Sequence, residues 1–154
     1  MNMKTIRNYL DKNQRRFVRE LCDYLRFPSV STDVRQAGGM AQCARWLVAH
    51  CRQIGLTAEL CRTAGNPVVI ARTPRPANRR QRPHYLIYGH YDVQPADPLE
   101  LWHSPPFQPR LAGRSLFARG AADNKGPHFA HLKAVEAYLK TGTPLPCDLT
   151  FLIE

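Results

Sequence analysis

The chain has no apolar run of membrane-spanning length, no Cys-x-x-Cys pair, no internal repeat and no low-complexity tract. Its longest apolar stretches, Val68-Val69-Ile70-Ala71 and Tyr85-Leu86-Ile87-Tyr88, fall far short of the ~20 residues that a bilayer helix needs. The opening Met1-Asn2-Met3-Lys4-Thr5-Ile6-Arg7 lacks the apolar centre of a signal peptide. The cysteines number five (Cys22, Cys43, Cys51, Cys61 and Cys147) and are scattered, which indicates neither a disulfide framework nor a structural zinc site. Reduced thiols in a cytoplasmic protein that avoids membranes are the expectation. Acidic residues are also scarce, 12 against 22 basic ones, for a net charge of +10. Such an excess raises the possibility of a polyanionic partner. The basic residues are spread along the whole chain, however, and the densest cluster (Arg75, Arg79, Arg80 and Arg82) falls among Pro74, Pro76, Asn78 and Pro83. That composition reads as a loop joining two strands, so no nucleic-acid partner is expected. What remains is 154 residues, 44% of them apolar, enough for about one domain with a core of its own.

Hydrophobic periodicity supplies the elements. Ile6, Leu10, Phe17, Leu21 and Leu25 recur at helical steps with charged residues between them, predicting an amphipathic helix over 6–27 that ends at Phe27-Pro28. A second helix is expected over 40–54, stopped by Gly55. Strands follow at 57–61, 68–73 and 85–89. The stretch 91–111 carries Pro95, Pro98, Pro105, Pro106 and Pro109 and reads as loop, long enough to suggest a function. A short strand at 115–119, a helix at 126–140 and a buried strand at 149–153 complete the chain. This order predicts an α/β fold, helices layered against a central sheet. A core strand is a poor place for a domain to finish, so truncation is the expectation.

The chemistry is concentrated in two places. His90 and Asp92, two apart on an extended segment, project to the same side. A carboxylate there can hold one imidazole nitrogen while the other meets a metal. By itself His-x-Asp also fits an ordinary polar strand end. Asp123, between Gly120 and Gly126, is expected at a second strand end, where ligands of α/β sheets gather. Its carboxylate can bridge two cations or cap the following helix. His128 and His131, one helical turn apart, read as packing or surface residues. Trp102 and Phe107 are expected to pack the long loop, Arg119 to brace the turn, and Lys125 to stabilise the turn or helix entry.

Three segments in order, Gly89-His90-Tyr91-Asp92-Val93-Gln94-Pro95, Leu101-Trp102-His103-Ser104-Pro105-Pro106-Phe107 and Arg119-Gly120-Ala121-Ala122-Asp123-Asn124-Lys125-Gly126, carry a specific resemblance. The chain resembles the di-zinc metallopeptidase family of carnosinase-type dipeptidases, aminoacylases, acetylornithine deacetylases and carboxypeptidase G, and within it the dipeptidase branch. The resemblance runs over essentially the whole chain. It implies a zinc-exopeptidase-type catalytic domain with a mixed sheet, of which 1–154 is the N-terminal portion.

The resemblance also implies roles. His90 and Asp123 are metal ligands, Asp123 bridging two Zn2+ ions, and Asp92 is the catalytic-site carboxylate that orients His90. The Asp123–Asn124 peptide is expected to be cis. Mn2+ or Co2+ suit the same ligand types. The implied reaction is hydrolysis of the amide bond of a dipeptide or N-acyl amino acid by a metal-activated water. Glu154 matches only the first glutamate of the family's Glu-Gly-x-Glu-Glu motif, so the general base, further ligands and a dimerisation domain are expected beyond it. The expectation is an inactive fragment of a homodimeric enzyme. The competing expectation is a naturally short binding or regulatory protein on the same fold.

Overall fold

The computed structural model describes residues 3–75 and 82–154. Pro76, Asn78, Arg79 and Arg80 of the expected basic loop lie outside the described residues. Helix α1 spans Met3–Leu25, ending two residues short of the expected boundary because the chain turns through Phe27 and Pro28. The amides of Ser29 and Val30 donate to the carbonyls of Phe27 and Pro28. A single 3-10 turn, Val34–Gln36, precedes α2, Ala37–Ile54. The helix therefore starts three residues before the expected 40, across Gly38 and Gly39, whose low helix propensity hides the first turn. Gly39 is needed there, since a Cβ on it would stand 2.7 Å from the Pro28 carbonyl oxygen. At the other end Gly55 takes φ +106°, and the amides of Gly55 and Leu56 close on Arg52 and Cys51, satisfying carbonyls the helix leaves open.

Strands β1 (Thr57–Cys61), β2 (Val68–Arg72), β3 (His84–Gly89) and β6 (Asp148–Ile153) form a mixed sheet in the order β1-β2-β6-β3. β1–β2 and β2–β6 are antiparallel, while β3 and β6 are parallel, with Gly89 opposite Ile153. Val69, Ala71, Phe151 and Ile153 turn inward against Leu47, Cys51 and Ile54 of α2 and Phe129, Leu132 and Val135 of α3 (Lys125–Lys140). Each fully buried side chain of this size contributes about 1.5–3 kcal/mol. β3 is the sheet margin, and its apolar residues Tyr85, Leu86 and Tyr88 are exposed.

The stretch expected to be loop as far as 111 holds a 3-10 turn, Leu99–Leu101, and strand β4, Arg110–Ala112, paired with β5, Ser115–Phe117. Three residues of mixed polarity give no alternation long enough to read. The signal was Gly113, whose φ of +59° suits the first position of a tight hairpin turn.

α1 packs chiefly on α3, and the two enclose charge. Lys133 is 4% exposed, and its ammonium lies 2.5 Å from Glu20, 2.8 Å from Glu136 and 2.7 Å from His50 Nε2. Arg16 reaches Glu136 at 2.5 Å and Glu20 at 2.7 Å, and the Tyr9 hydroxyl donates to Glu136. The ammonium also sits over the Phe129 ring at 4.6 Å. Thus Arg16 and Glu20, expected on the solvent face of α1, turn toward α3. Burial, then the neighbouring Lys133 charge, hold the His50 imidazole neutral, its pKa down at about 4. Cys43 and Cys51 are fully buried, and burial pushes the Cys51 thiol up to about 12. Among the described residues no helix is long and apolar enough to cross a membrane.

Candidate metal centre

The parallel strands β3 and β6 finish side by side, and their pairing continues past the last residue of each. The Glu154 amide donates to the Gly89 carbonyl at 3.1 Å, and the Tyr91 amide donates to the Glu154 carbonyl at 2.6 Å. His90 is therefore clamped on both sides by backbone. Alternation then turns Tyr91 inward, fully buried with its hydroxyl on the Pro67 carbonyl, and leaves His90 and Asp92 facing outward together. Ser29 and Ser31 hold this segment from beneath. Ser29 Oγ donates to the Tyr91 carbonyl at 2.7 Å, and Ser31 Oγ donates to Asp92 Oδ2 at 2.5 Å.

Asp92 Oδ1 lies 2.8 Å from His90 Nδ1, and the other nitrogen, Nε2, lies 3.1 Å from Asp123 Oδ1. The structure thus brings together three residues that are 2 and 33 positions apart. Burial opposes protonation of His90, yet the Asp92 side chain and carbonyl, followed by Asp123, raise its pKa above the usual 6.5. Asp123 follows the short strand expected before it, β5, which belongs to the two-stranded ribbon and not to the main sheet. It stands in the turn between β5 and α3, its side chain 79% exposed. The Asp123–Asn124 peptide is cis. The N-cap of α3 is Asn124 and not Asp123, so the capping alternative for Asp123 falls away. Tyr88, His90, Asp92, Glu154, Ser31 and Asn66 line a cleft of about 660 Å3, where the Tyr88 hydroxyl donates to the Glu154 carboxylate.

An imidazole nitrogen and a carboxylate oxygen converging at 3.1 Å form a donor set suited to zinc and its neighbours. The carboxylate on Nδ1 is the partner that metal-binding histidines usually have. The residues therefore fit the implied metal. A second cluster, Glu20, His50 and Glu136, also has ligand atoms within 4.8 Å of one another. The Lys133 ammonium occupies its middle, so that cluster already has its cation.

The remaining residues stand around the centre. Lys125 is completely buried at the start of α3, donating to the carbonyls of Tyr24 and Phe27 at 3.3 and 2.9 Å. It ties the Asp123 turn to the end of α1. Arg119 lies over the Trp102 ring at 5.1 Å, and Trp102 donates to the Ala96 carbonyl, packing the long loop as expected. His128 is buried and His131 exposed, and neither enters the cleft. Sequence reasoning missed Ser31, which no local pattern marks. It also missed the side chain of Asn124, whose Oδ1 accepts from the His90 amide, although its place beside Asp123 was a usable signal.

The chain is similar to known proteins both in sequence and in fold. The model of peptidase family M20/M25/M40 matches residues 86–154. The Cys-Gly metallodipeptidase dug1 of Schizosaccharomyces pombe is 28% identical over 162 residues, covering 100% of this chain and 34% of the relative. A succinyl-diaminopimelate desuccinylase of Dechloromonas aromatica is 34% identical over 113 residues, covering 73% of this chain and 29% of the relative. The crystal structure of human carnosine dipeptidase 1 superposes with a TM-score of 0.89 at 25% identity, over 100% of this chain and 34% of that one. The chain spans about a third of the length of such relatives.

Proposed function

We propose that this chain, whose residues 86–154 match the model of peptidase family M20/M25/M40, contributes His90, Asp92 and Asp123 to the metal centre of a hydrolase that cleaves the amide bond of a dipeptide or N-acyl amino acid. The observation that carries the reading is the two-sided hold on His90. Asp92 at 2.8 Å accepts from Nδ1 and turns Nε2 to the Asp123 carboxylate at 3.1 Å, where a metal would take the place of the proton the two share. His90 Nε2 and the Asp123 carboxylate would hold the metal. A divalent metal there supplies Lewis-acid polarisation of an amide carbonyl and a more acidic water. Asp92 keeps the imidazole in the right tautomer, and Ser31 keeps Asp92 in place. The cleft beside these residues is roomy enough for a dipeptide-sized molecule.

Zinc is proposed as the metal, with manganese or cobalt compatible with the same donors. The dipeptidase and desuccinylase relatives support the substrate class. Two ligand side chains leave zinc's usual four positions partly filled, so the 154-residue chain binds metal weakly and turns over no dipeptide. A homodimer is proposed for a longer protein containing this chain on the resemblance alone. Zinc titration against a chelating indicator is the test. Weak binding that disappears in His90→Ala and Asp123→Ala is expected; binding unchanged in both variants would overturn the proposed centre, and a tight stoichiometric two-metal site in this chain would overturn the weak binding.

A further inference from the structure

Beneath His90 runs a buried polar chain that the hydrolytic reading does not use. Tyr24, near the end of α1, is fully buried with its ring stacked on Trp46 at 4.9 Å. Its hydroxyl lies 2.9 Å from His128 Nε2. His128, 1% exposed, places Nδ1 3.1 Å from Asn124 Oδ1. The same oxygen lies 3.3 Å from the backbone nitrogen of His90.

The direction of every bond in this chain is determined. A backbone N–H can only donate, so the Asn124 atom facing His90 is the carbonyl oxygen and not the amide nitrogen. An acceptor there requires a proton on His128 Nδ1. Burial, then the nearby His90, keep the His128 ring neutral, its pKa down at about 3. Nε2 is therefore bare and accepts from the Tyr24 hydroxyl. The backbone before His90 rests directly on this chain. A Cβ added at Gly89 would stand 2.9 Å from His128 Cβ and 3.0 Å from Asn124 Oδ1. Asn124 is also joined by its backbone peptide bond to Asp123, so a single residue links both proposed ligands.

We infer that His128 is a positioning residue for the metal centre: its Nδ1–H locks the Asn124 carboxamide, which grips the His90 amide and sets His90 and Asp123 relative to each other. The link to metal rests on the function proposed above, whereas the link from His128 to His90 does not. Two readouts keep these apart in the 154-residue chain. The first is hydrogen exchange of the His90 amide, followed by NMR without metal. The second is affinity for Co2+ by chelator competition.

His128→Leu removes the donor, and exchange at His90 accelerates by about tenfold or more. Cobalt affinity then falls by about tenfold. His128→Asn puts an N–H near the position of Nδ1 and keeps exchange close to that of the unmodified chain. His128→Gln puts it near Nε2 instead and behaves like the leucine variant. A role in packing alone would favour Gln, the closer of the two in volume to histidine, over Asn. Unchanged exchange in His128→Leu, or equal behaviour of Asn and Gln, overturns the inference. Should His128→Leu fail to fold, Tyr24→Phe deletes one hydroxyl and keeps the ring, with faster exchange at His90 supporting the chain and unchanged exchange refuting it. If the unmodified chain binds cobalt no better than His90→Ala, the metal-centre reading fails, while the exchange data still decide the role of His128.

Discussion

Replacing Lys133 by methionine tests whether the enclosed charge between α1 and α3 supports the fold. The ammonium stands 2.5 Å from Glu20, 2.8 Å from Glu136 and 2.7 Å from His50, at a site 4% exposed. Burial alone would raise both carboxyls, but hydrogen bonds from Lys133 and Arg16 overcome it and hold both below 4.5. Methionine keeps the packing against Phe17 and Phe129 while deleting the charge. Removing one partner of a buried pair costs about 3–5 kcal/mol. Arg16 still reaches both carboxylates, so the lower figure applies, about 3 kcal/mol. For a chain of this size that is about 6–12 °C in Tm. The pH dependence is the sharper signature. Both carboxyls have lowered pKa values in the folded chain, so the stability they confer is present above 4.5 and lost as pH falls through their folded values. Without Lys133, His50 between two carboxylates also becomes easier to protonate and takes over as the cation. The difference between the two proteins is therefore largest near pH 7.5 and shrinks on acidification. Thermal or urea unfolding followed by circular dichroism at pH 7.5, 6 and 4 measures it. A loss below about 1 kcal/mol at pH 7.5, or one that is the same at all three pH values, would refute the reasoning, since exposed pairs contribute that little.

Other expectations follow from the same packing. The Lys133→Met variant frees the Glu20–His50–Glu136 cluster, so zinc raises the Tm of the variant and not of the parent through that site; adding His50→Ala should abolish the gain. The folded pKa values of His50 and His128 lie at about 4 and about 3 against an ordinary 6.5. The unfolded chain thus binds protons below 6.5 that the folded chain refuses, and stability falls by about 1.4 kcal/mol per group per pH unit down to the folded value. A flat urea-unfolding profile between pH 6.5 and 4.5 would contradict this. Gly126 has no room for a side chain, because a Cβ would lie 2.0 Å from the Ala121 carbonyl oxygen. Gly126→Ala should cost about 1–3 kcal/mol and weaken cobalt binding, and a variant of parental Tm and affinity would show that the turn carrying Asp123 tolerates displacement.

Strand positions were legible because β2, β3 and β6 are short apolar runs bounded by turn residues, and the three ordered motifs singled out His90, Asp92 and Asp123, which the fold brings within hydrogen-bonding distance. Helix starts were less legible where glycine, as at Gly38 and Gly39, masks the first turn. The β4–β5 ribbon was hidden because three residues per strand carry no period. The charged cluster escaped for a different reason. Glu20 and Lys133 are 113 positions apart and Arg16 and Glu136 are 120 apart, a pairing that no local window contains. The supports of the centre are of the same kind. Tyr24 at the end of α1 reaches it through His128, and Ser31 in the loop after α1 reaches it through Asp92, contacts that only the folded chain shows.

Cys43 and Cys51 sit in the core between α2 and the sheet, and burial raises both thiols, that of Cys51 to about 12. A thiol must ionise and be reached before it reacts, and in the folded chain these two meet neither condition. Cys22, Cys61 and Cys147 are only partly buried. The chain therefore carries its own integrity gauge: a pulse of alkylating reagent modifies up to three cysteines in a folded molecule and all five in an unfolded one, and a mass spectrum of the mixture counts each population without a label or an assay for activity.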